Sequence, residues 1–340
     1  MIPPSFIRVP YSEMTDVFHS ILLQHGFSPD KAKTCADIFA VNSLEGVYTH
    51  GVNRFPRFVE YIKNGYIKVD HEAQLRSAVG CIEQWDGQLG PGPINALLCT
   101  TRSMEIAKAN GLGCVALANT NHWMRGGYYG WQAARKGFVF IGWTNTMGNM
   151  PAWGGIDPKL GNNPLVIAVP YQNDAIVLDM ALSQYSYGSL ELYSLKNENL
   201  PVPGGFDSEG NLTTDAASII KSRTVLPIGY WKGAGMSLLL DILATILSGG
   251  LSTAQISKLP AEQSLSQVFI AIDISKLSNY PAIEKTIQQI VDDYHASVPK
   301  ENSKKVRYPG EYIGAIRETN LKEGIPVLKK VWDEINSFRN

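Results

Sequence analysis

Little in this sequence would tie it to a metal, a membrane or a nucleic acid. Cysteine is scarce: Cys35, Cys81, Cys99 and Cys114 are widely spaced and form no CxxC pair. That spacing argues against a disulfide framework or a thiolate zinc site, so four free thiols are expected. An excess of one charge is also missing. Lysine and arginine total 30 against 31 aspartates and glutamates, a formal net charge of -1. No electrostatic attraction to nucleic acid or an anionic membrane follows. No uninterrupted apolar run reaches the about 18 residues that a membrane span needs. The best stretch, Met236 to Leu247, is broken by Ser237 and Asp241. The opening Met1-Ile-Pro-Pro-Ser-Phe6 lacks the basic flank and apolar core of a secretory signal. A cytoplasmic protein is expected, with neither a membrane nor a nucleic acid as partner.

Several chemical signatures are absent too. There is no G-x-x-x-x-G-K-[ST] loop for a nucleotide and no G-x-S-x-G nucleophile elbow. His19, His25, His50, His71, His122 and His295 show no HExxH spacing, so no metal is expected. One dinucleotide fingerprint exists on paper, Gly111-Leu-Gly-Cys-Val-Ala116. Its context is reversed. A Rossmann loop runs from a strand through glycines into a helix N-terminus that holds the pyrophosphate. Here a helical pattern precedes the glycines and a strand-like run follows, so Gly111 reads as a helix C-cap.

The stretch with most chemistry is Glu45 to Phe58, Glu-Gly-Val-Tyr-Thr-His-Gly-Val-Asn-Arg-Phe-Pro-Arg-Phe. Gly46 and Gly51 suit backbone turns, and Pro56 predicts a new helix from that point to about Asn64. His50 and Arg54 therefore sit on a connection between helices. An imidazole can move a proton near neutral pH, and a guanidinium can clamp a carboxylate. Together they fit chemistry on an anionic carbonyl compound. A helix-connecting turn with a hydrogen-bonded histidine and solvated arginines would read the same way.

Residues 1–10 read as a loose arm. Ser12 is placed to cap a helix whose face is Met14, Val17, Phe18, Ile21 and Leu22, ended by Gly26. Ser28-Pro29-Asp30 starts the next helix, with Cys35, Ile38 and Phe39 inward. From His71 the pattern changes. Strands are expected at 79–85, 111–118, 138–144, 165–169, 175–180 and 267–274. Helices are expected at 95–109, 237–249, 281–295 and 321–338, with a Pro/Gly/Asp-rich surface excursion at 199–214. The elements do not alternate as in a doubly wound sheet. The class is α+β with a mixed or antiparallel sheet. The organisation expected is a helical unit over 1–75 joined by C-terminal helices in 296–340, and an α+β region over 76–295 with an excursion at about 180–225.

Three further places carry polar chemistry. Asn119-Thr-Asn-His-Trp-Met-Arg-Gly-Gly-Tyr128 sets His122 at a strand end among asparagines, an arginine and paired glycines. Gly229-Tyr-Trp-Lys-Gly-Ala-Gly235 brings a lysine to a helix N-terminus, a ready anion site, although glycines there could equally serve helix packing. Asp179 ends an apolar strand, where it could accept from hydroxyls or cap the next turn.

Taken together, His-Gly-Val-Asn-Arg-Phe-Pro-Arg (50–57), Asn-His-Trp-Met-Arg-Gly-Gly (121–127), Gly161-Asn-Asn-Pro164, Leu178-Asp-Met180 and Gly229-Tyr-Trp-Lys-Gly233 resemble the type-2 malate/L-lactate dehydrogenase family. That family includes sulfolactate and ureidoglycolate dehydrogenases. The likeness runs from about Tyr11 onward. Ile82-Glu-Gln-Trp-Asp86 and Gly204-Gly-Phe-Asp207 draw it toward the members acting on oxidised sugar acids. The resemblance implies a non-Rossmann NAD-binding fold, a homodimer, and NADH, or alternatively NADPH, as cofactor. It implies a small-molecule 2-oxo acid as substrate and His50 or His122 as the catalytic acid/base. Arg54 is the expected carboxylate clamp, with Asn121 and Thr146 as binders of sugar-acid hydroxyls. The implied cofactor contacts are Ala175, Ile176, Val177, Leu178, Asp179, Met180 and Ala181, then Trp231 and Lys232, then Gly310, Glu311 and Tyr312. The alternatives are a malate, L-lactate or ureidoglycolate dehydrogenase and, from another class, a non-catalytic sugar-acid binding protein. The aromatics Trp123, Tyr128, Tyr129, Trp131 and Trp153 fall in turn-like contexts and suggest an interface.

Overall fold

A computed structural model describes residues 5–300 and 305–339; the remainder of the arm at 1–4 and of the C-terminal region at 301–304 and 340 lies outside the described residues. The first third holds β1 (Phe6–Val9), α1 (Tyr11–Gln24), α2 (Pro29–Leu44), a 3-10 turn (Tyr48–His50), α3 (Phe55–Lys63), β2 (Gln74–Val79), β3 (Ile82–Asp86) and α4 (Gly92–Asn110). Then come β4 (Leu112–Thr120), α5 (Gly126–Ala134), β5 (Phe138–Thr144), β6 (Met150–Pro151), β7 (Pro158–Leu160), β8 (Leu165–Tyr171) and β9 (Asp174–Met180). The excursion carries α6 (Tyr187–Lys196), β10 (Gly205–Phe206), β11 (Leu212–Thr213) and α7 (Ala216–Ser222). Last are α8 (Trp231–Ser248), α9 (Thr253–Ile256), β12 (Leu265–Asp273), α10 (Tyr280–His295), α11 (Ile313–Glu323), β13 (Ile325–Leu328) and α12 (Lys329–Ser337).

The class is α+β. A seven-stranded sheet has the order β2-β3-β4-β12-β5-β8-β9. It is mixed because β3 and β4 run parallel, whereas the other neighbouring pairs are antiparallel. Period-two alternation makes it two-faced. Val115, Leu117, Phe269 and Ala271 join α4 and α5 in one core, and Cys114, Ala116, Val268 and Trp143 join α8 and the excursion in another. A third core gathers α1, α2 and α3 with Ile325, Val327, Trp332 and Ile335. Phe18 and Phe55 stack at its centre, 4.0 Å between centroids.

Four expectations need correction. The arm is a strand from Phe6: β1 pairs with β13 antiparallel, Phe6 opposite Leu328 and Val9 opposite Ile325. The helix expected over 321–338 is two helices around that strand. Gly324 breaks it at φ +83°, ψ 158°, a conformation open essentially only to glycine, and Pro326 then sits on an edge strand. The single strand expected at 79–85 is the hairpin β2–β3, turned at Gly80-Cys81 with Gly80 at φ +58°. Ser12 caps nothing, since α1 begins one residue earlier with Pro10 as its cap.

The rejected fingerprint is explained locally. Gly111 ends α4 at φ +88°. Gly113 serves close packing: a Cβ there would lie 2.2 Å from the Ser103 carbonyl oxygen of α4. Gly113→Ala is therefore expected to destabilise the fold by about 1–3 kcal/mol through overpacking, read as a lower urea midpoint. Affinity of the folded protein for a nicotinamide cofactor should be unchanged. A large affinity loss at unchanged stability would restore these glycines as a cofactor loop.

Candidate active site

His50 ends the 3-10 turn after α2. Its carbonyl accepts from Asn42 Nδ2 at 3.0 Å. Ser43 Oγ accepts from Val52 N–H at 2.8 Å and donates to the Phe39 carbonyl at 2.8 Å, which pins the turn to α2. Gly46 turns the chain at φ +82° as expected. Gly51, at φ −118°, is required for space instead, because a Cβ would meet Ser43 Oγ at 2.2 Å.

His122 follows β4 in a loop packed on the start of α4. A Cβ on Gly92, the first residue of α4, would fall 2.2 Å from the His122 carbonyl oxygen. The Asn121 amide donates toward Tyr66, Leu89 and Gly90 carbonyls at 2.8–3.2 Å, so it fastens this loop to the segment after α3. Its Oδ1 is buried without a partner. Nδ1 of His122 accepts the Met124 N–H at 2.9 Å, so Nε2 carries the proton in the neutral ring.

These two loops, 72 positions apart in numbering, bring the imidazoles together. The rings stack with centroids 5.6 Å apart and planes 17° apart. His122 shares a narrow cleft with Arg54, Arg57, Tyr61 and Asn121. Burial pushes His50 down to about 4, aided by the charges of Arg54 and then Arg125. Burial likewise holds His122 well below its usual value, with Arg54, His50 and Arg57 adding to it. Both rings are therefore neutral at pH 7 in the ligand-free site.

A buried ion pair joins the loops. Arg125 Nη1 bonds Glu45 Oε2, and both residues are buried. Arg317 reaches Glu45 Oε1 at 3.5 Å. The Arg125 guanidinium lies 4.7 Å from the Trp131 ring centroid. Glu45 precedes His50 by five positions and Arg125 follows His122 by three, but 80 residues separate the pair in sequence. No spacing rule reveals it.

Arg54 lies at the N-terminus of α3 and faces Glu262, Nη2 to Oε1 3.6 Å. Glu262, missed in the sequence, also accepts the Met147 N–H at 3.3 Å. Thr146 is buried and donates to Asn162 Oδ1 at 3.1 Å. Asn163 accepts the Thr146 N–H at 3.0 Å and donates to the Ser237 carbonyl at 2.9 Å, so the Gly161–Pro164 turn ties this loop to α8. Thr146 thus neighbours the Arg54 side of the cleft through Met147 and Glu262.

The three segments assigned to cofactor meet around β9. Val177 N–H donates to the Pro309 carbonyl at 3.2 Å, and Gly310 (φ +89°) packs on Trp131. Ile228 N–H donates to the Leu182 carbonyl at 2.8 Å, which brings Trp231 and Lys232 to the same end. β9 is the sheet edge. Ala175 and Val177 are buried inward, while Ile176, Leu178 and Met180 point to the opposite face and Ala181 follows the strand. Asp179 Oδ2 accepts the Gly127 N–H at 2.7 Å. It caps α5, a distant helix, rather than the next turn. Trp231 and Lys232 are exposed on the first turn of α8, whose N-terminus has no side-chain cap. Glu311 accepts the Tyr308 N–H at 3.0 Å and lies 3.2 Å from His295, and Tyr312 precedes α11. An uncapped helix N-terminus and an exposed lysine without an ion-pair partner among the described residues fit a dinucleotide's phosphates.

Of the aromatics expected at an interface, Trp123 and Tyr129 are fully buried and Trp131 nearly so, Tyr128 is half-buried and Trp153 is exposed. A run of exposed apolar side chains lies on α8, where Trp231, Met236, Leu239, Ile242 and Ile246 face outward. This helix is long and apolar enough by composition to cross a membrane. Its other face, including Leu240 and Ala244, packs on the sheet.

Residues 9–336 match the family model described as malate/L-lactate dehydrogenase. The chain is 42% identical over 333 residues to the 2,3-diketo-L-gulonate reductases of Klebsiella pneumoniae (strain 342) and Escherichia fergusonii, covering 98% of this chain and 100% of each relative. Among solved structures it is similar to malate dehydrogenase from Pyrococcus horikoshii OT3 (29% identity, TM-score 0.88, 98% of this chain and 94% of that one). It is also similar to sulfolactate dehydrogenase from Methanocaldococcus jannaschii (25% identity, TM-score 0.87, 98% and 96%).

Two outcomes are expected. Glu45→Gln leaves the buried Arg125 charge without its carboxylate and lowers stability by about 3–5 kcal/mol, measured by urea denaturation. The second concerns acid. His50 titrates near 4 when folded and near about 6.5 when unfolded. The unfolded chain then binds more protons between those values, so stability falls as pH drops from about 6.5 to 4. A His50→Asn, His122→Asn double variant should flatten that slope; an unchanged slope contradicts neutral burial of the pair.

Proposed function

Because the chain belongs to the malate/L-lactate dehydrogenase family, we propose that it is an NAD(P)H-dependent reductase of a 2-oxo sugar acid. The substrate proposed is 2,3-diketo-L-gulonate, reduced at C2 to 3-dehydro-L-gulonate, with NADH as the cofactor. The observation that carries this reading is the stacked His50–His122 pair, with His122 in the cleft that holds Arg54. The 42% likeness to the diketogulonate reductases supports the substrate. The structural likeness to the Pyrococcus enzyme keeps a malate dehydrogenase as the second reading.

Ala175 to Ala181, Trp231, Lys232 and Gly310 to Tyr312 would hold the cofactor, with Lys232 and the α8 N-terminus toward phosphate. The cofactor, when bound, supplies hydride to the carbonyl carbon. Arg54 pairs with the substrate carboxylate and fixes the pose. His122 is locked with Nε2–H outward by the Met124 bond, so it donates a hydrogen bond to the carbonyl oxygen. His50 gives the proton that this oxygen gains. The substrate's anionic carboxylate offsets the Arg54 charge that depresses both rings, so His50 is more readily protonated in the loaded site. Thr146 and the free Oδ1 of Asn121 are left to meet hydroxyls. We assign the exposed α8 face to a homodimer contact and the protein to the cytoplasm.

The test is loss of NADH absorbance with a panel of oxo acids, followed by single variants. His50→Ala should lower kcat by about 10²–10⁴-fold with NADH affinity little changed. Arg54→Ala should chiefly raise KM. A dead His122→Ala beside a near-normal His50→Ala reverses the two roles. Because kcat/KM reports the free enzyme, it should keep rising as pH falls below 6.5. A plateau beginning above that value would contradict the depressed His50.

A further inference from the structure

Arg54 is not a free cation waiting for a carboxylate. Its guanidinium already faces Glu262 at 3.6 Å, and the two side chains are 23% and 20% exposed. Glu262 is held from two sides. Its Oε2 accepts the Met147 N–H at 3.3 Å. Two residues on, Ser264 adopts φ +57° and its hydroxyl donates to Asn119 Oδ1 at 3.2 Å. The loop between α9 and β12 is therefore tied to the end of β4 and to the Thr146 loop, and it brings one carboxylate to the rim of the cleft. Glu191, exposed on α6, adds a second negative charge toward Arg54.

These placements have a consequence for substrate choice. A single carboxylate on Arg54 leaves Glu262 with unused acceptor capacity, since an ionised carboxylate accepts at both oxygens and donates at neither. A hydroxylated chain satisfies it with O–H donors, and hydrogen bonds to a charged acceptor are the strong ones. A second anionic group in the same position meets like charge in a partly desolvated cleft, and an acceptor-only group cannot donate to it. Building a repulsive element against the wrong ligand is how sites separate close competitors. Resting on the reductase reading above, we infer that Glu262 is the specificity-determining residue that selects hydroxylated mono-anionic 2-oxo acids over dianionic ones. Arg57, exposed one helical turn beyond Arg54 and without an ion-pair partner among the described residues, is the competing feature. If it captured a second anion, dianionic acids would be preferred.

The experiment uses the full-length wild type, Glu262→Gln and Glu262→Asp, with 2,3-diketo-L-gulonate and oxaloacetate as substrates. Glu262→Gln should lower kcat/KM for the hydroxylated acid by about tenfold to a hundredfold, the range of a lost charge-assisted hydrogen bond. It should hold or raise kcat/KM for oxaloacetate. Glu262→Asp keeps the charge and should keep oxaloacetate excluded. Equal losses on both substrates would reduce Glu262 to a support for Arg54 and overturn the inference, as would a wild-type preference for oxaloacetate. Calorimetric binding of L-gulonate and L-malate to the same three proteins decides independently of turnover. Wild type should bind gulonate more tightly, and Glu262→Gln should narrow the gap. Discrimination in binding without any NADH turnover would sink the reductase reading and leave the role of Glu262 standing. Turnover without discrimination would do the reverse.

Discussion

The site depends on a buried ion pair that takes no direct part in the proposed chemistry. Glu45 and Arg125 are both buried, and each lies within a few residues of a candidate catalytic histidine. An ion pair of this kind contributes little net stability relative to well-packed apolar residues, but it is strongly destabilising to break. Its use here is positional. It joins the end of α2 to the start of α5, so a charge contact helps to set His50 and His122 relative to each other where no continuous element does. Trp131 stacks under the same guanidinium and also packs against Gly310, so one aromatic ring connects the histidine loops to the segment beside β9.

Burial is the first reason that the two imidazoles stay neutral in so cationic a place. Arg54 presses on both rings, Arg125 on His50 and Arg57 on His122. Each positive charge that would receive an anion makes a nearby proton harder to hold. An anion on Arg54 relieves that pressure. In the proposed mechanism, substrate binding and the readiness of the acid are thereby coupled electrostatically. Glu262 supplies a counter-charge to Arg54 among these cations.

Much of the fold was legible wherever a local rule decided it. The stripe of Met14, Val17, Phe18, Ile21 and Leu22 is the buried face of α1. Gly111 caps α4, and the strand 138–144 begins and ends where its residues suggest. The rules failed where a long-range partner decides. Ile325–Leu328 becomes a strand because Phe6–Val9 lies beside it, although Gly324 and Pro326 were visible signals against one long helix. Gly80-Cys81 is not a dipeptide that marks a hairpin by itself. In the candidate site, His50, Arg54 and His122 stood out by residue type. Their neighbours Glu45, Asn163 and Glu262 did not, because a carboxylate or amide acquires its role only when the chain brings a partner to it across tens of residues.

The pairing of β1 with β13 has a consequence for how the protein is made. The core that holds α1, α2 and α3 is closed by Ile325, Val327, Trp332 and Ile335. Contacts of such high sequence separation carry a large loop-closure cost and form late. During synthesis the helices bearing His50 and Arg54 emerge first, yet the side of their core that Ile325, Val327, Trp332 and Ile335 close waits while more than two hundred further residues are translated. The ribosome thus releases the reactive loop early and its finished setting last, and a nascent chain interrupted before β13 holds the candidate catalytic residues without the core that fixes them.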